Sequence, residues 1–430
     1  MSRLKFSNLG GIMDRLTSRL IIYGGDKSSA LYRLSEVFKA FRESNCAHGE
    51  LVEEIYSVIR EILKTATDFG FDKNLWQNYL TFLLITNENP FSLTCEKVGA
   101  LDGSVNRFAL SDCGVFKELF DFDFSKIERV LGIDCFSLIT NYKSVEKKEL
   151  VYNKNVSEKV QTLSEKLSSS QTAEEFFKSL TDFYRDFGVG MFGLNKAFRI
   201  RGGDGVTFLP INNMDAVTLS DLVGYGLQKQ ALVQNTLAFV EGRKANNVLL
   251  YGDSGTGKST SIKAIVNEFY PQGLRMIEIY KHQFKDLSAV IAGIKKRNYK
   301  FIIYMDDLSF EEYETEYKFL KAVIEGGVET RPDNILIYAT SNRRHLIKET
   351  WNDRNDMESS GGIHRSDTME EKLSLVNRFG VKINYSRPTR QEYHNIVSAL
   401  AQRHGIELSQ DKLLAESDRW ELSHHKLICL

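Results

Sequence analysis

The stretch Val248-Leu249-Leu250-Tyr251-Gly252-Asp253-Ser254-Gly255-Thr256-Gly257-Lys258-Ser259 decides the fold of the second half of the chain. Four apolar residues run into a glycine-rich loop. The loop opens a segment with Ile262, Ile265, Val266 and Phe269 at helical spacing. Residues 252–259 fit G-x-x-x-x-G-K-[ST] in full, in the strand–loop–helix context that gives this pattern its meaning. Glycines let successive backbone N–H groups wrap a phosphate, and the helix N-terminus adds positive potential. Lys258 can then reach the outer phosphates, and the Ser259 hydroxyl can ligate Mg²⁺. The expected phosphate-binding set is Gly252, Asp253, Ser254, Gly255, Thr256, Gly257, Lys258, Ser259 and Thr260.

A phosphate loop needs an acid at the end of a neighbouring strand to hold the metal. Phe301-Ile302-Ile303-Tyr304-Met305-Asp306-Asp307 supplies five apolar residues and then two carboxylates. Asp306 is expected to hold Mg²⁺ through its water shell. Asp307 lies nearer the terminal phosphate and is expected to polarise the attacking water, although it also reads as a cap for a following helix. Met276–Ile279 and Ile335–Tyr338 are further strand-like runs, separated by amphipathic helices. Continuous apolar strands alternating with helices indicate a parallel sheet covered on both faces.

Residues before this region read differently. Leu31, Leu34, Val37, Phe38 and Phe41 recur at helical spacing, as do Leu51, Ile55, Val58, Ile59, Ile62 and Leu63. Thr172 and Glu175 form a capping box ahead of Phe176, Leu180, Phe183 and Tyr184. No catalytic pattern occurs in residues 1–190, and the aromatics there read as core. Gly188, Gly190, Gly193, Gly202, Gly203 and Gly205, with Pro210, read as loop or linker.

The 430 residues carry 56 Lys+Arg against 57 Asp+Glu, and a net charge of −1 excludes a protein-wide basic field for nucleic acid. The five cysteines are widely spaced and contain no C-x-x-C pair, so neither a disulfide framework nor a zinc site is expected. No apolar run approaches the ~20 residues that span a bilayer, and none follows the basic residues Arg3, Lys5, Arg15 and Arg19. No membrane partner and a cytoplasmic location are therefore expected.

Further blocks carry a resemblance. Val223-Gly224 in "DLVGYGLQKQAL", "ILIYATSNRR" ending in Asn342, and "EEKLSLVNRFGVKINYSRP" containing Arg378 follow the order and spacing seen in AAA+ ATPases. "GLNKAFRIRG", "YMDDLSFEEYETEYKFLKAVIEGG" and "HRSDTMEEKLSLVNRFG" resemble, more narrowly, bacterial AAA+ ATP-binding proteins classed only as a domain of unknown function. The likeness runs from about Phe187 to Trp420. It implies an α/β AAA+ P-loop domain, a parallel sheet between helices, with a mainly helical N-terminal domain and a short helical lid. It implies adenine packing at Val223 and Gly224, a polar sensor at Asn342, and an arginine finger at Arg378 that reaches the nucleotide of a neighbouring subunit. The expected division is 1–187 helical domain, 188–215 linker, 216–386 ATP-binding core and 387–430 partial lid.

Two departures bear on function. Many AAA+ proteins carry glutamate where this chain has Asp307, so turnover is expected to be low unless a nearby acid such as Glu311 contributes. The resemblance also implies a second sensor arginine in the lid. After Trp420 the cationic residues are His424, His425 and Lys426, and that arginine is expected to be missing. Arg343, Arg344, His345, His364 and Arg365 receive no role. Asn195-Lys196 is followed by Ala197-Phe198 and so is not a guanine signature, which leaves ATP preferred over GTP. The expected activity is Mg²⁺-dependent ATP binding and hydrolysis in a homo-oligomer acting on an unknown protein client. The alternatives are an ATP-gated binding module with little hydrolysis, a nucleic-acid loader, which the charge balance disfavours, and a P-loop kinase, which leaves the sensor and finger blocks unexplained.

Overall fold

The computed structural model describes residues 13–24, 27–43, 48–144, 154–203, 205–212, 214–310, 316–325, 332–342 and 375–424. The chain forms two compact units, Met1–Asn195 and Lys196–Leu430.

The first unit is helical. Helix His48–Phe69 buries Leu51, Ile55, Val58, Ile59 and Ile62, and Ala30–Glu43 buries Leu31, Leu34, Val37 and Phe38, the stripes that the spacing predicts. The Thr172 hydroxyl accepts from the Glu175 N–H at the start of helix Ala173–Phe187. The Glu175 carboxylate reaches the Gln171 N–H (2.7 Å) instead of that of Thr172, so the capping box closes one residue early. The aromatics are core: Phe124 and Phe136 stack at 4.3 Å. Cys95, Cys113 and Cys135 are buried free thiols.

The second unit is built on a seven-stranded sheet. Its strands are β1 (Ala197–Arg201), β2 (Thr207–Pro210), β3 (Val248–Gly252), β4 (Leu274–Glu278), β5 (Lys300–Met305), β6 (Ile335–Ser341) and β7 (Val381–Tyr385). They lie in the order β2-β1-β4-β5-β6-β3-β7, and all pairs are parallel except β1 with β2. β3 to β6 match the four apolar runs. The stretch expected as a linker is different: its glycines 202, 203 and 205 join the antiparallel edge pair β1–β2, and the unit begins at Lys196. The alternating burial at the end of Ala197–Arg201 marks a half-covered strand next to the edge, which a glycine count does not reveal. β7 likewise alternates at the opposite edge.

Helix Lys258–Phe269 lies on one face, with Ile262, Ile265 and Val266 packed with Leu250, Ile302, Tyr304 and Tyr338. This seam positions the site: it fixes the first turn of the helix over the carboxyl ends of β3, β6 and β5. The helices Arg390–Arg403 and Gln410–His424 follow β7. In the first, Tyr393, Ile396 and Ala401 are buried, while Val397 and Leu400 are half-buried. No helix among the described residues is long and apolar enough to cross a membrane.

Candidate nucleotide-binding site

β3 ends at Gly252 with φ +135°, where a Cβ would stand 2.2 Å from the Tyr385 carbonyl oxygen. Only glycine lets the loop leave the sheet beside β7 at that spacing. Gly257 holds a left-handed conformation immediately before helix Lys258–Phe269. The Thr256 hydroxyl donates to the Asp253 carbonyl (2.9 Å) and the Ser261 hydroxyl to that of Gly257 (2.8 Å). Asp253 donates its N–H to the Tyr385 carbonyl (3.1 Å), and its carboxylate accepts from the Arg387 N–H (2.9 Å). The loop is thus tied on both sides to the end of β7. Ser254 and Gly255 are exposed, and Thr260 is half-buried on the first helical turn.

The Lys258 ammonium lies under the loop and donates to the carbonyls of Gly252 (3.1 Å) and Asp253. Burial lowers its pKa, against the opposing pull of Asp253, Asp307 and Asp306. Ser259 donates to Asp306 Oδ1 at 2.8 Å, so the expected metal pair is already joined. Thr340, at the end of β6, donates to the same oxygen and accepts from the Asp307 N–H at 2.9 Å. Burial alone raises the Asp306 carboxyl. The hydroxyls of Thr340 and Ser259 and the Asp307 N–H, each hydrogen-bonded to it, outweigh it and hold the carboxyl below its ordinary range.

A hydroxyl and a carboxylate are hard oxygen donors and suit Mg²⁺, which takes one or two protein ligands and fills its other positions with water and phosphate. Among the described residues no group of three or more His, Cys, Asp or Glu gathers to hold a metal. The Ser259–Asp306 pair fits a metal whose other positions are taken by water and a phosphate ligand.

Asp307 has φ +48°, an uncommon conformation for a residue with a side chain. The turn aims its carboxylate at Asn342, whose Nδ2 donates to Oδ1 at 2.9 Å. The acid and the sensor expected from separate sequence blocks are one hydrogen-bonded pair, and this contact engages the Asp307 carboxylate. Arg378 is exposed in the turn before β7. β7 is parallel to β3, with Val248 opposite Val381 and Gly252 opposite Tyr385. Arg378 is therefore at the amino end of the sheet, about 13 Å or more from its own phosphate loop at ~3.3 Å per strand residue.

Gly224 takes φ +82°, and a Cβ there would meet Ile396 Cδ1 at 3.7 Å. The segment is held from two sides: Lys229 donates to the Leu222 carbonyl (2.7 Å), and Arg403 donates to the carbonyls of Ser220 (2.8 Å) and Asp221 (3.2 Å). Gly224 is thereby placed against the helix Arg390–Arg403, with Val223 next to it in the chain. Glu311, Arg343, Arg344, His345, His364, Arg365, His425 and Lys426 lie outside the described residues.

Two residues of the site carry no sequence motif. Thr340 and Tyr304 each precede a motif residue by two positions, the strand period that puts them on the same face as Asn342 and Asp306. Tyr304 is 1% exposed, and among the described residues no atom completes a hydrogen bond to its hydroxyl. Burial pushes this phenol far above its ordinary pKa, with the Asp306 charge adding to the rise, so it is a protonated donor.

The profile of a family described as "Protein of unknown function (DUF815)" matches residues 194–428. Among curated proteins none matches the chain. Of solved structures, the Thermotoga maritima RuvB Holliday junction branch migration motor is 16% identical with a TM-score of 0.32, covering 46% of this chain and 58% of its own. The FIGL-1 AAA domain in complex with ADP is 17% identical with a TM-score of 0.33, covering 48% of this chain and 68% of its own. The chain thus spans 58% of the length of RuvB.

Proposed function

The chain belongs to the DUF815 family, and we propose that its second unit binds ATP with Mg²⁺ and hydrolyses it, coupling nucleotide state to a conformational change in a homo-oligomer. The observation that carries this reading is the single hydrogen-bonded array Ser259–Asp306–Thr340–Asp307–Asn342 beside a complete phosphate loop. Lys258 and the loop N–H groups bind the phosphates. Ser259 and Asp306 hold Mg²⁺, which supplies positive charge that neutralises the phosphate oxygens. Asp307 accepts the proton of the water that attacks the terminal phosphorus, and Asn342 orients that carboxylate. The bond to the leaving ADP oxygen breaks as the new P–O bond forms.

Arg378 supports the oligomer. An arginine at the far end of the sheet from its own loop is misplaced for work in cis, and a finger acting on a neighbour stabilises charge developing in the transition state. Position and function of the lid rest on the contacts of Ile396 and Arg403 with residues 220–224.

A second reading has one observation in its favour. The Asp307 carboxylate is already engaged by Asn342 and is a methylene shorter than glutamate, which suits an ATP-gated binding module with little turnover. A phosphate-release assay across ATP concentrations separates the two. Saturable release above background supports the hydrolase, and background release with intact ATP binding supports the gate. A salt-dependent DNA titration tests the loader reading, for which the net charge of −1 predicts no tight binding.

A further inference from the structure

β5 carries Ile302 and Tyr304 on one face, Asp306 follows just past its end, and β6 carries Tyr338 and Thr340 beside them, since Tyr304 pairs with Tyr338 and Met305 with Ala339. An aliphatic or phenylalanine side chain at position 304 would fill the seam beneath helix Lys258–Phe269. Tyrosine instead brings a hydroxyl to the floor of the site, among Ser259, Asp306 and Thr340. That hydroxyl is buried, and among the described residues it completes no hydrogen bond. Asp306 Oδ1 already accepts from Ser259, from Thr340 and from the Asp307 N–H (3.2 Å). A fourth donor next to a saturated oxygen is costly to bury and has no use in packing.

We propose that Tyr304 is a positioning residue for the metal pair: its hydroxyl becomes a hydrogen-bond donor to Asp306 when Ser259 and Asp306 turn to hold Mg²⁺ with nucleotide. This rests on the reading of Ser259 and Asp306 as the metal site. The cost of the orphaned hydroxyl is carried by the protein alone and is relieved on Mg²⁺–nucleotide binding, so it adds to the metal-dependent part of the affinity. Phenylalanine preserves the packing and removes both the cost and the gain.

The test uses the full chain, with Tyr304→Phe and Asp306→Asn beside the unaltered protein. ATP is titrated calorimetrically in Mg²⁺ and in EDTA, and unfolding is followed without nucleotide. In Tyr304→Phe the gain in ATP affinity brought by Mg²⁺ should fall about tenfold, the weight of one charge-assisted hydrogen bond. Affinity in EDTA should stay the same, and the unfolding midpoint should rise by roughly 2–4 °C. An undiminished gain overturns the proposal, as does a lower midpoint, which would show that the hydroxyl is bonded without nucleotide. If Asp306→Asn loses the gain and Tyr304→Phe keeps it, this inference alone fails. If the unaltered protein shows no gain, the metal pair fails and the inference falls with it.

Discussion

Thr340→Val removes one hydroxyl at the junction of the site and keeps the side chain's shape. Thr340 is buried, donates to Asp306 Oδ1 and accepts from the Asp307 N–H. Hydrogen bonds to charged groups are worth about 1.5–3 kcal/mol. Asp306 is itself exposed, so screening favours the lower part of that range, and the substitution should cost about 1–2 kcal/mol. The pH dependence gives the mechanism its signature. The native Asp306 pKa is depressed, so the stability it contributes is present above the unfolded value near ~3.9 and lost as pH falls through the folded one. Loss of the Thr340 donor raises the folded pKa of the variant. The gap between the two proteins should be full at neutral pH and narrow as Asp306 protonates in the acid range. Urea unfolding at a series of pH values from neutral to acid reads both quantities. A gap below about 0.5 kcal/mol at neutral pH, or one that persists unchanged into acid, refutes the reasoning.

Asp307→Asn should bind ATP as before and slow phosphate release at least ~100-fold, because an amide cannot take the water's proton; unchanged release would move that role to another group. Arg378→Ala should lower turnover, and mixing it with Lys258→Ala subunits should recover part of the activity if the finger works on a neighbour; a failure of mixtures to exceed either variant argues against action in trans. Gly252→Ala should cost about 3 kcal/mol or more, since its Cβ meets the Tyr385 carbonyl at 2.2 Å and its φ is positive. Denaturant unfolding checks this, and a neutral effect would show that β7 yields at that point.

The legible part of the fold lay where burial is two-sided. β3 to β6 are mostly apolar and buried, and three of them run directly into what the chemistry needs: β3 into the glycine loop, β5 into Asp306 and β6 into Asn342. The strands at the two sides of the sheet were illegible for the same reason reversed. β1 and β7 are half-covered and interrupted by Arg199, Arg201, Lys382 and Asn384, β2 has only four residues, and the turn glycines 202, 203 and 205 resemble a linker. In the site, motif residues were found and their neighbours were not. Thr340 and Tyr304 acquire meaning only from the pairing of β5 with β6, which places them around Asp306, and no local pattern encodes that pairing. The bond between Asp307 and Asn342 likewise depends on a left-handed backbone turn that an aspartate rarely adopts. The far placement of Arg378 follows from β7 joining the edge beside β3, a long-range choice invisible in the chain order.

If the loop Gly252–Ser259 is a working ATP site, its phosphate charge is met by Lys258. Calorimetric titration of ATP with Mg²⁺ into the full chain and into Lys258→Ala, with circular dichroism of both to confirm the fold, measures it directly. The unaltered protein should bind saturably, and the folded variant at least ~100-fold more weakly, the loss of a charge-assisted contact to phosphate. Equal affinity in both proteins, or no saturable binding by the unaltered one, would contradict it.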